Sequence, residues 1–341
     1  MSSPLAILGT GLVTSVGLSA PAACAAIRAG VTNPTETRYV DSRGEWIMAH
    51  QVPLEEPWRG FDKLVRMASQ VILESLATVE RADWPRIPVL LCVAERDRPG
   101  RLAGLEDELF PEIRQFAGAE FHASSAIIPH GRVSHAVALL RARHLLAESD
   151  VLAVVIVAVD SLINGPTLMA YERAGRLLTA QNSNGFMPGE GACALLVGRP
   201  PAGRRLLCTG LGFGTEAAHI ESNEPLRADG MTRAVREALR DAQCGLEDVD
   251  FRIADLSGEQ YYFKEAALTL SRVLRVRKEQ FDIWHPAEFI GESGAVAGAA
   301  SMAVAYAACR KSYAPGPNIL CHAANDTGQR VAAIVRYMDV A

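Results

Sequence analysis

The chain has 341 residues, of which 49% are hydrophobic and 21% charged, and its formal net charge is -5. These values describe a globular protein with a large core and exclude a disordered or membrane-spanning chain. The scattered arginines and the negative charge also exclude the basic footprint of a nucleic-acid-binding protein.

The ends and apolar runs of the chain carry no targeting or membrane signal. The first residues lack the basic region and the apolar core of a signal peptide. The longest apolar run, residues 151–159, is far shorter than the roughly 20 residues of a membrane helix and predicts a buried strand. We therefore expect a cytoplasmic protein with no membrane partner and no nucleic-acid partner.

The seven cysteines are widely spaced, lie mostly in apolar surroundings and form no Cys-x-x-Cys pair. This pattern predicts reduced thiols in the core. His285 and Glu288, three residues apart, could be a pair of metal ligands, but no second ligand pair with the required spacing accompanies them. We expect no metal and no cofactor.

The sequence divides into two halves that contain the same predicted helices and strands in the same order, with a join near residues 199–203. Each half is predicted to contain an opening strand, an amphipathic helix, a second strand, a long helix of small residues and two closing strands: 5–11, 64–76, 87–94, 134–147, 151–158 and 192–197 in the first half, and 206–212, 234–239, 249–256, 294–310, 318–321 and 331–335 in the second. The small residues let both long helices pack closely between two sheets. The pattern predicts two similar α/β halves, residues 1–200 and 204–341.

The segment 184–192, Asn-Gly-Phe-Met-Pro-Gly-Glu-Gly-Ala, is the most informative motif. It resembles the Gly-Phe-x-x-Gly-Glu-Gly-Ala signature of β-ketoacyl synthases, through Gly185, Phe186, Gly189, Glu190 and Gly191. Segments 9–17 and 25–30 are similar to that family's opening, and 150–161 resembles its dimer-interface strand. The resemblance implies a thiolase-like, five-layered αβαβα fold and a homodimer. Within the motif we expect structural roles, because glycines permit tight turns and Glu190 can cap amides.

The condensing chemistry of that family needs three groups that this chain replaces. A cysteine thiolate at the start of a buried helix accepts the acyl group, and two histidines stabilise the enolate. The resemblance places the cysteine's position at Gly131 or His130, depending on a one-residue gap. Ser257 takes the place of the first histidine and Glu292 that of the second. The Gly-rich loop with its two aromatics is replaced by residues 321–329. We therefore expect no ordinary condensing activity.

Two classes of function remain open. The first is a catalytically inactive protein that acts by binding, as a homodimer, beside an active ketosynthase as chain-length factors do, or as an accessory factor of a protein encoded nearby, such as a bacterial secretion effector. The second is an acyltransferase or hydrolase with a rebuilt site. Such a site would draw on polar residues that the fold could bring together: Ser257, Glu259, Glu292, His130, His135 and His322. No Gly-x-Ser-x-Gly elbow supports it.

Three further segments carry structural expectations. The stretch 95–98, Glu-Arg-Asp-Arg, is expected to be a solvated turn, and residues 261–263 are expected to be a packed aromatic cluster. If the strand near residues 151–158 pairs across a two-fold axis, charges placed at 154–157 should separate the dimer.

Overall fold

The computed structural model describes residues 3–148 and 150–340. The first half contains, in chain order, β1 (Leu5–Val13), α1 (Ala20–Arg28), β2 (Thr35–Val40), β3 (Trp46–Ala49), α2 (Gly60–Ser75), β4 (Val89–Cys92), α3 (Leu109–Ala117), β5 (Ala126–Ile128), α4 (Ser134–Leu145), β6 (Val154–Ser161), α5 (Gly165–Arg173) and β7 (Glu190–Gly198). The second half contains β8 (Gly203–Thr215), α6 (Asp229–Asp241), β9 (Phe251–Ala254), α7 (Gln260–Val273), β10 (Ile283–Trp284), α8 (Ala287–Ile290), α9 (Val296–Arg310), β11 (Asn318–Ala324) and β12 (Gln329–Val340).

The two halves form their sheets in the same way. From the centre outward, the strand order is β1, β7, β6, β4, β5 in one half and β8, β12, β11, β9, β10 in the other. Corresponding neighbours also match in direction, since the inner pairs are antiparallel and the outer pairs are parallel. A short antiparallel pairing of residues 5–7 with residues 206–208 joins the halves. The predicted repeat of two similar α/β halves is confirmed.

Helices cover both faces of the sheets and fill the space between them. Helices α2 and α3 pack on the outer face of the first half, and α6 and α7 on that of the second. Helices α1, α4 and α9 belong to the central core, which contains strand residues of both halves. Twelve of the fifteen residues of α9 are buried, so this helix is enclosed on nearly all sides. The five layers are therefore α, β, α, β, α, as expected.

The structure corrects the expectation about the dimer strand. Strand β6 pairs with β4 on one side and with β7 on the other, and all eight of its residues are buried. A strand with two neighbours has no free hydrogen-bonding edge, so β6 cannot pair across a two-fold axis. The strand at the outer edge of the first half is β5, which pairs only with β4 within the described residues.

The thiols lie where the composition predicts. All seven cysteines are free, and six of them are buried. Cys92 lies in β4 and Cys193 in β7, and burial raises the pKa of both thiols. Among the described residues, no helix has the length and hydrophobicity needed to cross a bilayer.

A charge in β6 should unfold the protein. Val157 is fully buried and lies between Leu91 and Ala194 in the sheet, so Val157→Asp buries an unpaired carboxylate. We expect a loss of at least about 4 kcal/mol in the free energy of unfolding, measured by urea denaturation. The control Leu152→Asp, at a site 39% exposed, should change it by less than about 0.5 kcal/mol. A folded Val157→Asp monomer would contradict the interior position of β6.

Candidate functional site

The candidate site lies where several parallel strands end. Glu95 follows β4, Gly131 follows β5, Asp255 follows β9 and Asp326 follows β11. Strands β4 and β5 are parallel to each other, as are β9 and β11, so within each half these residues leave the same edge of the sheet. In open α/β sheets, this carboxyl edge is the usual place for a ligand.

Charged side chains fill this place. We call them the buried charge cluster: Arg98, Arg132, Arg176, Glu95, Asp160, Asp255, Glu259, Glu292 and Asp326. The cavity that remains among them and their neighbours has a volume of about 10 Å³. This is about the space of a single water molecule, so a substrate has no room.

Arg132 lies in the centre of the cluster, in the short 3-10 turn between β5 and α4. Its guanidinium donates to the Glu292 carboxylate at 3.1 Å and to the Tyr262 hydroxyl at 2.8 Å. It also donates to Asp326 and lies 4.0 Å from Asp255. A single buried cation therefore faces carboxyl groups from three different segments of the second half.

Arg176, which follows α5, makes two forked ion pairs. It donates to both oxygens of Glu259 at 2.7 and 2.9 Å. It also donates to both oxygens of Asp326 at 2.7 and 3.0 Å. Forked guanidinium–carboxylate pairs are the strongest and most directional ion pairs in proteins. Asp326 thus connects Arg176 with Arg132.

Burial and the two arginines act in opposite directions on Asp326. Burial alone would raise its pKa, but Arg132 and Arg176, together with the hydrogen bond from Tyr262, hold the pKa well below its usual range. Asp326 is therefore ionised at every physiological pH. Its charge is compensated by two guanidinium groups, so burial does not leave it isolated.

Other carboxyl groups of the cluster behave differently. Burial raises the pKa of Glu292 to about 7, although Arg132 opposes this shift. Burial also raises the pKa of Glu95 and of Asp255, with Arg98 and Arg132 respectively acting in the opposite direction. The cluster has six carboxyl groups and three guanidiniums. Burial thus favours the neutral form of three of the six acids.

The stretch 95–98 is a turn, but the prediction that it is solvated is wrong at two of its residues. Arg98 is only 6% exposed and donates to Asp160 at 2.6 Å. Glu95 is half-buried and points towards Gly131. Asp160 also accepts the Ala295 N–H at 2.9 Å, so the pair connects the end of β6 with the start of α9. The alternating charges looked solvent-exposed because their buried partners lie far away in the sequence.

Gly131 occupies the strand-to-helix turn that precedes α4. Its φ of +53° lies in the left-handed region, whereas His130 has φ of -120°. A Cβ atom at Gly131 would lie 2.0 Å from the Glu95 carboxylate. Backbone conformation and lack of space therefore both favour glycine, and a cysteine side chain does not fit this arrangement.

Ser257 lies after β9, and its hydroxyl is not part of a catalytic pair. Its Oγ is buried and has no hydrogen-bond partner among the described residues. A serine nucleophile needs a base within about 3.2 Å of its hydroxyl. Ser257 also does not line the cavity that Glu292 lines.

The structure does not bring His130 or His322 to this cavity. His130 lines a separate cavity of about 340 Å³ between the α4 region and β8. Cys321 and Ala323 of β11 belong to the central core, whereas Leu320 and Ala324 belong to the outer one. Because side chains alternate along a strand, His322 faces the outer layer. Burial, mainly, lowers its pKa to about 3, so this imidazole is neutral.

The remaining histidine of the rebuilt-site hypothesis is also buried in the core. His135, in α4, is 1% exposed, and its Nδ1 lies 3.1 Å from the Arg132 carbonyl oxygen. Burial lowers its pKa to about 4. The six residues of that hypothesis therefore do not converge. Only Glu292 lines the cavity, and Glu259 contacts the cluster through Arg176.

The glycine-rich motif at 184–192 positions Glu292 of the cluster through backbone hydrogen bonds. The Gly189 N–H donates to the Glu292 carbonyl at 2.8 Å, and the Glu292 N–H donates to the Met187 carbonyl at 2.8 Å. A Cβ atom at Gly189 would lie 2.4 Å from the Ile290 carbonyl oxygen, so this close approach needs glycine. Phe186, 1% exposed, packs edge-on against Tyr171 with the ring centres 5.0 Å apart.

The other motif residues also make structural contacts. Glu190 accepts the Val52 N–H at 2.9 Å and the Ser161 hydroxyl at 2.8 Å, and it pairs with Lys63. Its carboxylate therefore bonds to a backbone amide and to two side chains. Asn184, in place of the usual aspartate, accepts the Gln260 N–H at 2.8 Å at the start of α7. Gly185 lies against the Leu177 backbone, and Gly191 lies opposite Asp160 in the sheet.

Sequence reasoning missed most of the cluster. Arg132 and Asp326 were not singled out, and neither directly follows a predicted strand: no strand was predicted just before Arg132, and the strand predicted at 318–321 ends five residues before Asp326. The signal available in the sequence was a charged residue between an apolar strand and a buried helix, because such a residue needs a buried partner. Tyr262 was assigned to an aromatic cluster, and it does pack edge-on against Tyr261 at 4.9 Å. Its hydroxyl donates to Asp326, which the pattern did not indicate.

The described residues were compared with the arrangement that a metal ion needs. They contain no group of three or more histidines, cysteines or acids placed to hold a metal ion. His285 Nδ1 and Glu288 lie 3.3 Å apart, as an ordinary pair at the surface.

No protein-family model matches the sequence, and no curated protein matches it significantly. Solved structures are similar in fold. A chain of the AntDE:AntF complex, a type II polyketide acyl-carrier protein with its ketosynthase bound to the hexaketide, has 16% identity and a TM-score of 0.79, and the match covers 99% of this chain and 100% of that one. A chain of the ketosynthase (ApeO) and chain length factor (ApeC) complex from Xenorhabdus doucetiae has 13% identity and a TM-score of 0.76, with 98% of each chain covered.

A ketosynthase domain of the oxazolomycin pathway from Streptomyces albus is also similar, with 14% identity and a TM-score of 0.79. That match covers 98% of this chain and 75% of the domain's chain. At these identities the similarity shows the fold. The protein has the thiolase-like ketosynthase fold, as the motif at 184–192 implied.

The raised pKa of Glu292 predicts a pH-dependent stability. Between pH 4.5 and about 7, the folded protein holds a proton on Glu292 that the unfolded chain releases, so stability falls as the pH rises through this range. Relative to Glu292→Gln, the wild type should lose on the order of 3 kcal/mol across it. Urea denaturation at a series of pH values measures this. Glu55→Gln, at an exposed site, should leave the wild-type profile unchanged, whereas parallel profiles for wild type and Glu292→Gln would contradict the raised pKa.

Proposed function

We propose that the protein does not catalyse condensation and that it acts by binding another protein chain. The observation that carries this proposal is the buried charge cluster, which leaves a cavity of about 10 Å³ where a ketosynthase needs an acyl group. Small-molecule sites generally have volumes of about 300 to 1,000 Å³. An acyl thioester would have to displace paired, buried charges in order to enter.

The chemistry at each position supports the same proposal. The positive φ of Gly131 and the adjacent Glu95 carboxylate disfavour a cysteine at position 131, and the cysteines of the nearby strands are buried with raised pKa values, which disfavours a reactive thiolate. Glu292 stands where an imidazole would stabilise an enolate. It is instead held by Arg132 and by the Gly294 N–H at 3.0 Å. Arg132, Arg176 and Glu292 are already paired with one another or with neighbouring carboxylates, so none of these three groups is free to stabilise a transition state.

The outer edge of β5 is the surface that we propose for assembly. An exposed strand edge offers unpaired backbone groups to a second strand. Antiparallel pairing of β5 with its copy would place a two-fold axis there and extend the sheet, which gives a closed homodimer. Similar structures include a ketosynthase in complex with its chain length factor and a ketosynthase with its acyl-carrier protein.

These examples support a protein partner in addition to a second copy. We propose a protein encoded nearby, and a secretion effector is the class that the resemblance suggests. The free thiols support a reducing compartment such as the cytoplasm.

A rebuilt enzyme is the second candidate, and one observation favours it. The Ser257 hydroxyl is buried without a partner, as an unused nucleophile could be. No base contacts it, and the histidines that could serve as a base lie in a separate cavity, in the outer layer and in the central core. The enzyme hypothesis therefore needs a rearrangement of the site.

An acyl-thioester probe separates the two candidates. We expect no covalent adduct and no hydrolysis when the purified protein is incubated with hexanoyl-N-acetylcysteamine, as followed by intact mass and thiol release. An active ketosynthase tested in parallel provides the positive control. Turnover that is lost in Ser257→Ala, while the fold remains intact, would overturn the proposal in favour of the enzyme.

The β5 edge is tested by Ile127→Lys. Ile127 is half-buried in the edge strand, so a lysine there opposes strand pairing without emptying the core. We expect a dimer for the wild type and a folded monomer for Ile127→Lys, measured by light scattering and circular dichroism. The matched control, Ile283→Lys in the opposite edge strand β10, should remain a dimer. A monomeric wild type would contradict the homodimer but not the inactive site.

A further inference from the structure

A second cavity, of about 490 Å³, lies at the opposite end of the strands from the buried charge cluster. It is bounded by the start of β1, the start of β8, the end of β12 and the end of α9. Helix α9 begins beside the cluster and has fifteen residues, so it places the two sites about 22 Å apart along its axis. The two sites share no lining residue.

Three arginines line this second cavity, and aromatic rings orient two of them. The Arg204 guanidinium lies 5.0 Å from the Tyr337 ring centre, and that of Arg310 lies 5.3 Å from the Tyr306 ring centre. Arg310 also donates to the Tyr306 hydroxyl at 2.9 Å. Arg205, next to Arg204 in β8, donates to its neighbour's carbonyl oxygen at 2.9 Å. Contact with an aromatic ring limits the conformational freedom of an arginine side chain and so orients its guanidinium for binding an anion.

No acidic side chain lines this cavity. In residues 3–148 and 150–340, none of the three guanidiniums forms an ion pair, although eleven other arginines do. Asp339 lies opposite Arg204 in the sheet and is exposed, but it does not come within ion-pair distance. The carbonyl dipole at the end of α9 accounts for a cation at Arg310, but it does not account for two cations on β8.

A neighbouring cavity of about 460 Å³ shares Leu8, Tyr306 and Arg310 with the first. Its wall adds the apolar residues Ala20, Pro21 and Ala307, the hydroxyl-bearing residues Thr10, Ser75 and Thr78, and a further cation, Lys311.

Glu74 also reaches this neighbouring cavity. Its carboxylate is occupied by the Ala20 N–H at 2.7 Å and the Leu12 N–H at 3.0 Å. The combined space therefore has one end lined by three arginines and a second end of mixed character, in which apolar and hydroxyl-bearing residues lie beside Lys311 and the occupied Glu74 carboxylate.

From this geometry we infer that the arginine cavity binds the phosphate or diphosphate group of a small organic molecule, whose uncharged part occupies the neighbouring cavity. Guanidinium groups recognise phosphate oxygens with paired hydrogen bonds, and three of them match the charge of a diphosphate. A bound anion would also relieve the repulsion among three like charges. This site is independent of the proposed function at the buried charge cluster.

The test is calorimetric titration of the intact protein with inorganic diphosphate at low ionic strength. We expect saturable binding to one site per chain, weakened at least tenfold in Arg204→Gln and in Arg310→Gln. Both residues are exposed, so neither variant should unfold, and thermal melting checks this. The control Arg43→Gln, an exposed arginine on the β2–β3 turn, should bind as the wild type does.

Two outcomes would overturn the assignment. Absence of binding, or equal affinity in Arg310→Gln and wild type, would show that the arginines do not form an anion site. Sedimentation with phosphatidylcholine vesicles containing phosphatidic acid distinguishes a lipid headgroup from a soluble ligand. Binding to these vesicles without binding to diphosphate would overturn the small-molecule assignment.

Discussion

The bridge that Asp326 makes between Arg132 and Arg176 is the interaction on which the centre of this molecule depends. Both arginines come from the first half of the chain and the carboxylate from the second. Breaking a buried ion pair by removing one partner leaves an uncompensated charge at a cost of about 3 to 5 kcal/mol. Burial raises the pKa of three neighbouring acids, Glu292, Glu95 and Asp255, and so favours their neutral forms. The charges therefore define one arrangement of the two halves and occupy the space in which a ligand could react.

Much of the fold could be predicted because it depends on repeated, local signals. The apolar runs before glycine, the two helices of small residues and the motif at 184–192 each indicate a position in the layered fold. The assignment of positions 131, 257 and 292 to the family's catalytic residues rests on the same resemblance and stays a prediction. The side chains that form the buried charge cluster could not be predicted from the sequence. Arg132 and Asp326 are 194 residues apart, and no local pattern shows that they meet.

The errors have a common physical cause. Residues 95–98 looked solvent-exposed because charges normally face water, yet Arg98 is buried against a partner that ends another strand. Strand β6 was taken for an interface strand from its resemblance, although strand order depends on pairing partners that lie outside the segment. His322 was grouped with the pocket because the inferred fold could bring it there, but the alternation of side chains along β11 directs it to the other face.

The position of β12 has a consequence for how the chain is made. This last strand pairs with β8 and β11 in the interior of the second half. During synthesis, β8 and β11 therefore lack their common neighbour until residues 329–340 have emerged, and Asp326 follows Arg132 by 194 residues. Until then Arg132 and Arg176 have no counter-charge from it. The sheet of the second half and the counter-charge of two arginines from the first half therefore both need residues 326–340, and folding should be cooperative across the two halves.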